Sequence, residues 1–110
     1  MKLRITGRHL EITPALREYV EMRFRRLDRY DLKMESLQVV LGIEKLRHTA
    51  EVVGTVHGRP LQAKTSTKEM YASIDALVDR VDAQLRKWKG RLVDHKAERK
   101  GNLQRRGKIR

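Results

Sequence analysis

The sequence predicts an α+β domain in the order β-α-β-β-β-α, one four-stranded sheet with two helices packed on one face. Three observations predict it. Leu37, Val39, Leu41 and Ile43 alternate with Gln38, Val40, Gly42 and Glu44, the period of a half-buried strand. Two longer stretches, one after Pro14 and one after Glu69, repeat their apolar residues at helical spacing instead. Between them, turn-forming residues near Lys45–Arg47 and at His57–Pro60 divide the alternation into three runs.

Taken in order, Lys2–Thr6 puts Leu3 and Ile5 on one side and Lys2, Arg4 and Thr6 on the other, a short first strand. Thr13-Pro14 starts the first helix with a hydroxyl N-cap, then a proline where its missing N–H costs nothing. Leu16, Val20, Phe24 and Leu27 follow at helical spacing, with Tyr19 and Tyr30 at the margin, giving a helix from about Pro14 to Tyr30. The second strand is the alternating run 37–44. The third sets Ala50, Val52, Gly54 and Val56 on one face and Glu51, Val53 and Thr55 on the other. His57-Gly58-Arg59-Pro60 turns the chain into a fourth strand, marked by Leu61, Ala63 and Thr65 and expected at an edge.

Ser66-Thr67-Lys68-Glu69 has the form of a capping box, with Ser66 as N-cap and Glu three residues on. The second helix then carries Met70, Ile74, Leu77, Val78, Val81, Leu85, Trp88 and Leu92 within about 100° of arc, a core-facing stripe. Gly90 weakens it locally by ~1 kcal/mol relative to alanine. A right-handed first crossover makes strands one and two parallel; the remaining strands connect as antiparallel hairpins. One sheet with both helices on one face then buries every apolar stripe. Residues 1–100 are expected to form a single domain, and 101–110, GNLQRRGKIR, a mobile basic tail.

Composition bounds the function. Of 110 residues, 26 are Lys or Arg and 14 are Asp or Glu, a net charge of +12 that implies a polyanionic partner. The absence of cysteine excludes disulfides, thiolate catalysis and zinc ribbons, and fits a reducing compartment. No apolar run reaches the ~20 residues of a membrane span, and MKLRITGRHLEITP lacks the apolar core of a secretory signal. The expectation is a soluble, cytoplasmic protein.

The charge is localised. Residues 67–85 carry net −2, whereas 86–110 carry eleven basic residues against two acidic ones, net +9. With Val81 at the centre of the buried stripe, Arg80, Lys87 and Arg91 lie along one flank over about 16 Å, and Asp75 and Asp82 on the other. On the first helix Arg23 and Arg26 share a margin with Tyr19 and Tyr30, opposite Glu21 and Asp28. Two modest explanations compete with a partner: cations late in a helix complement its dipole, and neighbouring parallel helices can set a basic flank against an acidic one as weak surface pairs. The surplus exceeds what either uses, so RNA is expected to supply the anions. Membrane binding is disfavoured because the bulky apolar residues are needed in the core. Few aromatics and no GXXG loop exclude base-reading by RRM and KH modules. What remains is recognition of a phosphate-lined surface by shape and charge. The layout echoes the double-stranded-RNA-binding domain, though the leading strand departs from that domain's α-β-β-β-α order.

No chemistry-bearing constellation competes with this. His9, His48, His57 and His95 are scattered and read as surface or turn residues. No Gly-rich phosphate loop and no nucleophile elbow is present. Asp75, Asp79 and Asp82 read as a solvated helix face rather than a metal cluster, and Trp88 as core rather than a stacking platform. No catalytic residue, cofactor, metal or small-molecule substrate is expected.

The segments MKLRITGRHLEIT, PALREYV, HTAEVVGTVHG and EMYASIDALVDRVDAQLRKWKGRL resemble the ribosome hibernation promoting factor and ribosome-associated inhibitor family, also called sigma-54 modulation proteins, over about residues 1–95. The combination of I-T-G, E-I-T, A-L-R-E-Y and M-Y-x-x-I-D carries the resemblance. It implies the β-α-β-β-β-α fold. It also implies binding to the small ribosomal subunit in the cleft between head and body, at the A and P sites, where messenger and transfer RNA are displaced and idle, stationary-phase ribosomes silenced. The family's basic 16S rRNA contacts fall on Arg23, Arg26, Arg80, Lys87, Lys89 and Arg91; Arg86, in the same cationic run, completes the candidate set. Trp88 departs from the polar residue that relatives can carry, so no contact is transferred to it. The resemblance is to short members, monomeric off the ribosome; a basic tail is compatible with promoting or preventing ribosome pairing. Two alternatives stay open at this point: a module that modulates an acidic protein such as a transcription factor, and a general binder of duplex RNA.

Overall fold

A computed structural model describes residues 2–99, with side chains described as far as residue 90. Strand β1 (Leu3–Arg8) leads to helix α1 (Pro14–Arg25), which tightens into a 3₁₀ turn over Arg26–Tyr30. Strands β2 (Met34–Glu44), β3 (Arg47–Val56) and β4 (Arg59–Thr67) follow, and helix α2 (Met70–Arg99) closes the chain. The expected order is therefore present. The basic tail assigned to 101–110 lies outside the described residues.

The sheet order is β1-β2-β3-β4, with β1 parallel to β2 and the other pairs antiparallel. Register places Ile5, Val39, Val52 and Ala63 in one row and Leu3, Leu37, Gly54 and Leu61 in the next. These rows face the helices. Phe24 and Leu27 from the first helical segment, and Ile74, Leu77, Val81 and Leu85 from α2, are buried with Leu37, Val39 and Val52 in one cluster. Burial of each such large side chain contributes roughly 1.5–3 kcal/mol. The opposite face carries Arg4, Gln38, Val53 and Gln62 side by side, and all four are exposed.

Local chemistry explains the ends. Thr13 Oγ1 accepts from the Leu16 N–H at 3.2 Å, and Pro14 occupies the first turn, as the sequence predicts. The long first helix expected to Tyr30 stops being α-helical at Arg25; it ends at Asp31, whose φ of 51° is left-handed and whose N–H returns to the Asp28 carbonyl at 3.0 Å. The cap of α2 is also corrected, by three residues: α2 starts at Met70, and Glu69 caps it, its Oε1 accepting from the Tyr71 N–H at 3.1 Å and its carbonyl from the Ser73 N–H at 3.0 Å. Ser66 and Thr67 both belong to β4; Ser66 accepts from Arg47, and Thr67 Oγ1 accepts from the Glu69 N–H at 3.1 Å. β2 starts earlier than its alternation, at Met34, because a bulge between Met34 and Ser36 breaks the period.

The β3–β4 hairpin turns on His57 (φ 52°) and Gly58 (φ 75°), both left-handed, the mirror-image turn that matches strand twist. Gly54 is required for a different reason: a Cβ there would collide with the Ser36 carbonyl and the Leu37 side chain across the bulge. The hairpin leaves Arg59 paired with Val56 at the end of the sheet. α2, at 30 residues, runs about 45 Å, while the nine residues of β4 span about 30 Å, so the helix outruns the sheet beneath it.

Candidate nucleic-acid interface

α1 and α2 run in the same direction and are joined by a ladder of polar contacts. Arg23 Nε stands 2.9 Å from Asp75 Oδ1, Arg26 Nη2 3.1 Å from Asp79 Oδ1, and Arg29 Nη2 2.9 Å from Asp82 Oδ1. The top rung is shared: the Tyr19 hydroxyl donates to the same Asp75 Oδ1 at 2.6 Å, and the Arg23 Nε–H is not aimed at it, so that arginine's contact is coulombic. The Tyr19 hydroxyl is held above its usual value, first by this bond and then by burial. At the bottom rung Asp82 accepts from Arg29 through both oxygens and from the Tyr30 hydroxyl at 2.9 Å. The Tyr30 hydroxyl, which accepts from Arg29 Nη2 at 3.1 Å, and then the Asp82 carboxylate hold the Arg29 guanidinium above its usual range.

The ladder narrows the reading of Asp75, Asp79 and Asp82 as one solvated face: Asp75 and Asp79 keep 41% and 68% side-chain exposure, and Asp82 is the exception. They point at α1, and the Asp82 side chain is only 10% exposed. It also places Arg23 and Arg26, expected as RNA contacts, beside carboxylates; their side chains keep 27% and 38% exposure on the outer side. Arg29, which the sequence reading passed over, joins the same margin. Its sequence signal was the seven-residue step from Asp75 to Asp82, one rung longer than the two arginines then named.

At about 100° per residue, Asp75, Asp79, Asp82, Arg86 and Lys89 all fall on the α1-facing side of α2. The carboxylates are present while α1 and its 3₁₀ extension run alongside. They give way to Arg86 and Lys89 where that neighbour ends. Arg86 is exposed and Lys89 half-buried, and among the described residues neither lies within ion-pair distance of a carboxylate.

On the other flank, Arg80 Nη1 donates to the Lys64 carbonyl of the edge strand at 2.8 Å. Its partner is neutral, so the cationic charge is not cancelled. Lys87 is exposed on the same flank, with no carboxylate in ion-pair range among the described residues. Arg91 and His95 lie on α2, and their side chains lie outside the described residues. Trp88 is half-buried against the core, as expected, but its remaining face is covered by Arg59, whose guanidinium carbon stands 4.6 Å from the ring centroid. The sequence reading gave Arg59 only a turn role.

The arrangement offers exposed cations on both flanks of α2. Among the described residues no cluster of three or more His, Cys, Asp or Glu is placed to hold a metal ion, and no helix is long and apolar enough to cross a membrane. His48 is not a surface or turn residue: it lies half-buried in β3, and its carbonyl accepts from Ser73 Oγ at 2.6 Å. The apolar residues are not all used by the core either. Met22 is 49% and Tyr71 39% exposed, flanking Tyr19, which packs edge-on against Tyr71 at 4.7 Å.

Residues 3–93 match the family model described as sigma 54 modulation protein / S30EA ribosomal protein. The chain is 41% identical over 95 residues to the ribosome hibernation promoting factor of Escherichia coli strain K12, covering 86% of this chain and all of that one. It is 38% identical to that of Azotobacter vinelandii, covering 86% and 88%. In three dimensions it is similar to the N-terminal domain of Thermus thermophilus Protein Y, with TM-score 0.75 and 36% identity over 80% of this chain and 99% of that one. It is also similar to a ribosomal subunit interface protein from Coxiella burnetii, with TM-score 0.74 and 27% identity over 82% and 99%.

Proposed function

The chain belongs to the sigma 54 modulation protein / S30EA ribosomal protein family of ribosome hibernation factors, and we propose that it is a non-enzymatic, cytoplasmic member that binds the small ribosomal subunit. Its target on this reading is 16S rRNA in the A- and P-site region. The bound protein stands where messenger and transfer RNA would lie, and translation in idle cells stops. Off the ribosome it is a monomer.

One observation carries the reading: the α1-facing side of α2 changes from Asp75, Asp79 and Asp82 to Arg86 and Lys89 at the point where α1 no longer faces it. Among the described residues these cations have no carboxylate partner, and complementing the helix dipole uses only part of such a surplus. An RNA backbone supplies the missing anions and releases counterions as it does so. Arg80 and Lys87 on the second flank, and Arg91 in the same run, extend the surface; Arg23 and Arg26 border it with their exposed outer sides.

Co-sedimentation with purified small and large subunits tests the proposal. The expected result is pelleting with small subunits alone, lost steeply as salt rises. Equal pelleting with both subunits, or none, overturns it.

The exposed Met22–Tyr71 pair favours a second reading, a contact with an acidic protein. That patch is two side chains wide, short of the aromatic cluster that anchors protein interfaces. A pull-down that survives nuclease and contains no ribosomal proteins would establish this reading instead.

A further inference from the structure

β4 and α2 run antiparallel and touch along a seam that starts with Thr65 and Thr67 bonded to Ser73. Further along it two contacts involve cations: the Arg80 hydrogen bond to the Lys64 carbonyl, and Arg59 over Trp88. The two helix positions are eight residues apart, about 12 Å along the axis. Three exposed cations border this seam: Arg59 from the strand, and Arg80 and Lys87 from the helix. Among the described residues, none of the three has a carboxylate within ion-pair distance.

Arg59 is the one whose position is determined by something other than charge. The left-handed pair His57 and Gly58 sets it at the first residue of β4, on the face that carries Leu61. The core has ended there, so its side chain lies on the indole of Trp88 instead of packing inside. A guanidinium stacked on an aromatic ring retains its in-plane N–H groups for other acceptors. The stack also removes part of the rotamer freedom that an exposed arginine would lose on binding. As a stabilising contact alone it is weak, about 0.5–1 kcal/mol for an exposed pair.

We infer that Arg59, pre-positioned on Trp88, is an additional phosphate contact, and that the RNA-binding strip follows the β4–α2 seam onto the β3–β4 hairpin rather than remaining on the helices. This rests on the ribosomal reading above. In that frame Trp88 acts as a positioning residue: it orients the cation and does not stack on a base.

The test is a salt titration of binding to purified small ribosomal subunits, comparing wild type with Arg59→Gln, Arg59→Lys and Trp88→Leu. Loss of one phosphate contact predicts about tenfold weaker binding of Arg59→Gln near 0.1 M salt and a slope of log affinity against log salt shallower by about 0.9. Arg59→Lys should restore the slope, and Trp88→Leu should keep the slope while weakening affinity. An unchanged affinity and slope in Arg59→Gln overturns the inference while leaving the ribosomal reading intact. Weaker binding with an unchanged slope overturns it too, because the arginine would then act through structure. Failure of the wild type to bind small subunits is the separate result that removes both.

Discussion

Arg29 and Asp82 form the last rung between the two helices: Nη2 stands 2.9 Å from Oδ1, and beyond that rung α2 carries cations where it had carried carboxylates. The rung separates two kinds of charge on one helix. Above it, charge is used to hold α1 in register. Below it, Arg86 and Lys89 have no carboxylate within ion-pair distance among the described residues.

Asp82 should therefore matter to stability more than the carboxylates above it. Asp82→Ala leaves the Tyr30 hydroxyl and the Arg29 guanidinium without their shared acceptor, in the least exposed site of the ladder. The expected loss is about 1–3 kcal/mol. Asp79 is 68% exposed, and Asp79→Ala should cost under about 1 kcal/mol. Urea unfolding of the two variants checks the order.

The Tyr19–Asp75 bond predicts a dependence on alkaline pH. The folded value of the Tyr19 hydroxyl lies above the ordinary 10.0, first because it donates to Asp75. A group raised on folding contributes stability that is complete below its unfolded value and disappears as pH climbs through the folded one. Wild type should exceed Tyr19→Phe by roughly 1 kcal/mol at neutral pH, and the difference should shrink only above about pH 10. A gap that closes between pH 6 and 8 would contradict this assignment.

The start of α2 gives a third expectation. Thr67→Ala removes the acceptor for the Glu69 N–H, which holds the capping residue, and a contact to Ser73, and should lower stability by about 1 kcal/mol. Ser66→Ala removes only an exposed bond from Arg47 and should cost less. Thermal unfolding of the pair checks the order.

What could be read before the structure depended on how far apart the interacting residues lie. The strand 37–44 and the stripe from Met70 to Leu85 are periodic over adjacent turns, so their burial follows from short-range spacing. The left-handed pair at His57-Gly58 is equally local. The ladder was different. Arg26 meets Asp79 across 53 residues, and that meeting depends on how two helices slide past each other, which neither stripe determines. The flank geometry of each helix was readable; the pairing of flanks was raised only as one possibility. Arg59 on Trp88 was missed for the same reason, since a turn residue gives no sign of which helix end it will cover. Ser66 reads as a cap because a hydroxyl stands three residues before Glu69, but β4 extends two residues past Thr65, the end of its alternating pattern, and the helix starts only at Met70.

The most direct measurement is binding of a triple variant, Arg86→Glu, Lys87→Glu and Lys89→Glu, to purified small ribosomal subunits alongside its thermal unfolding. Losing three phosphate contacts predicts an affinity at least about a hundredfold weaker near 0.1 M salt, with a melting temperature close to wild type because none of the three has a carboxylate partner among the described residues. A variant that binds small subunits as tightly as wild type would contradict the claim that this end of α2 is the RNA-binding surface.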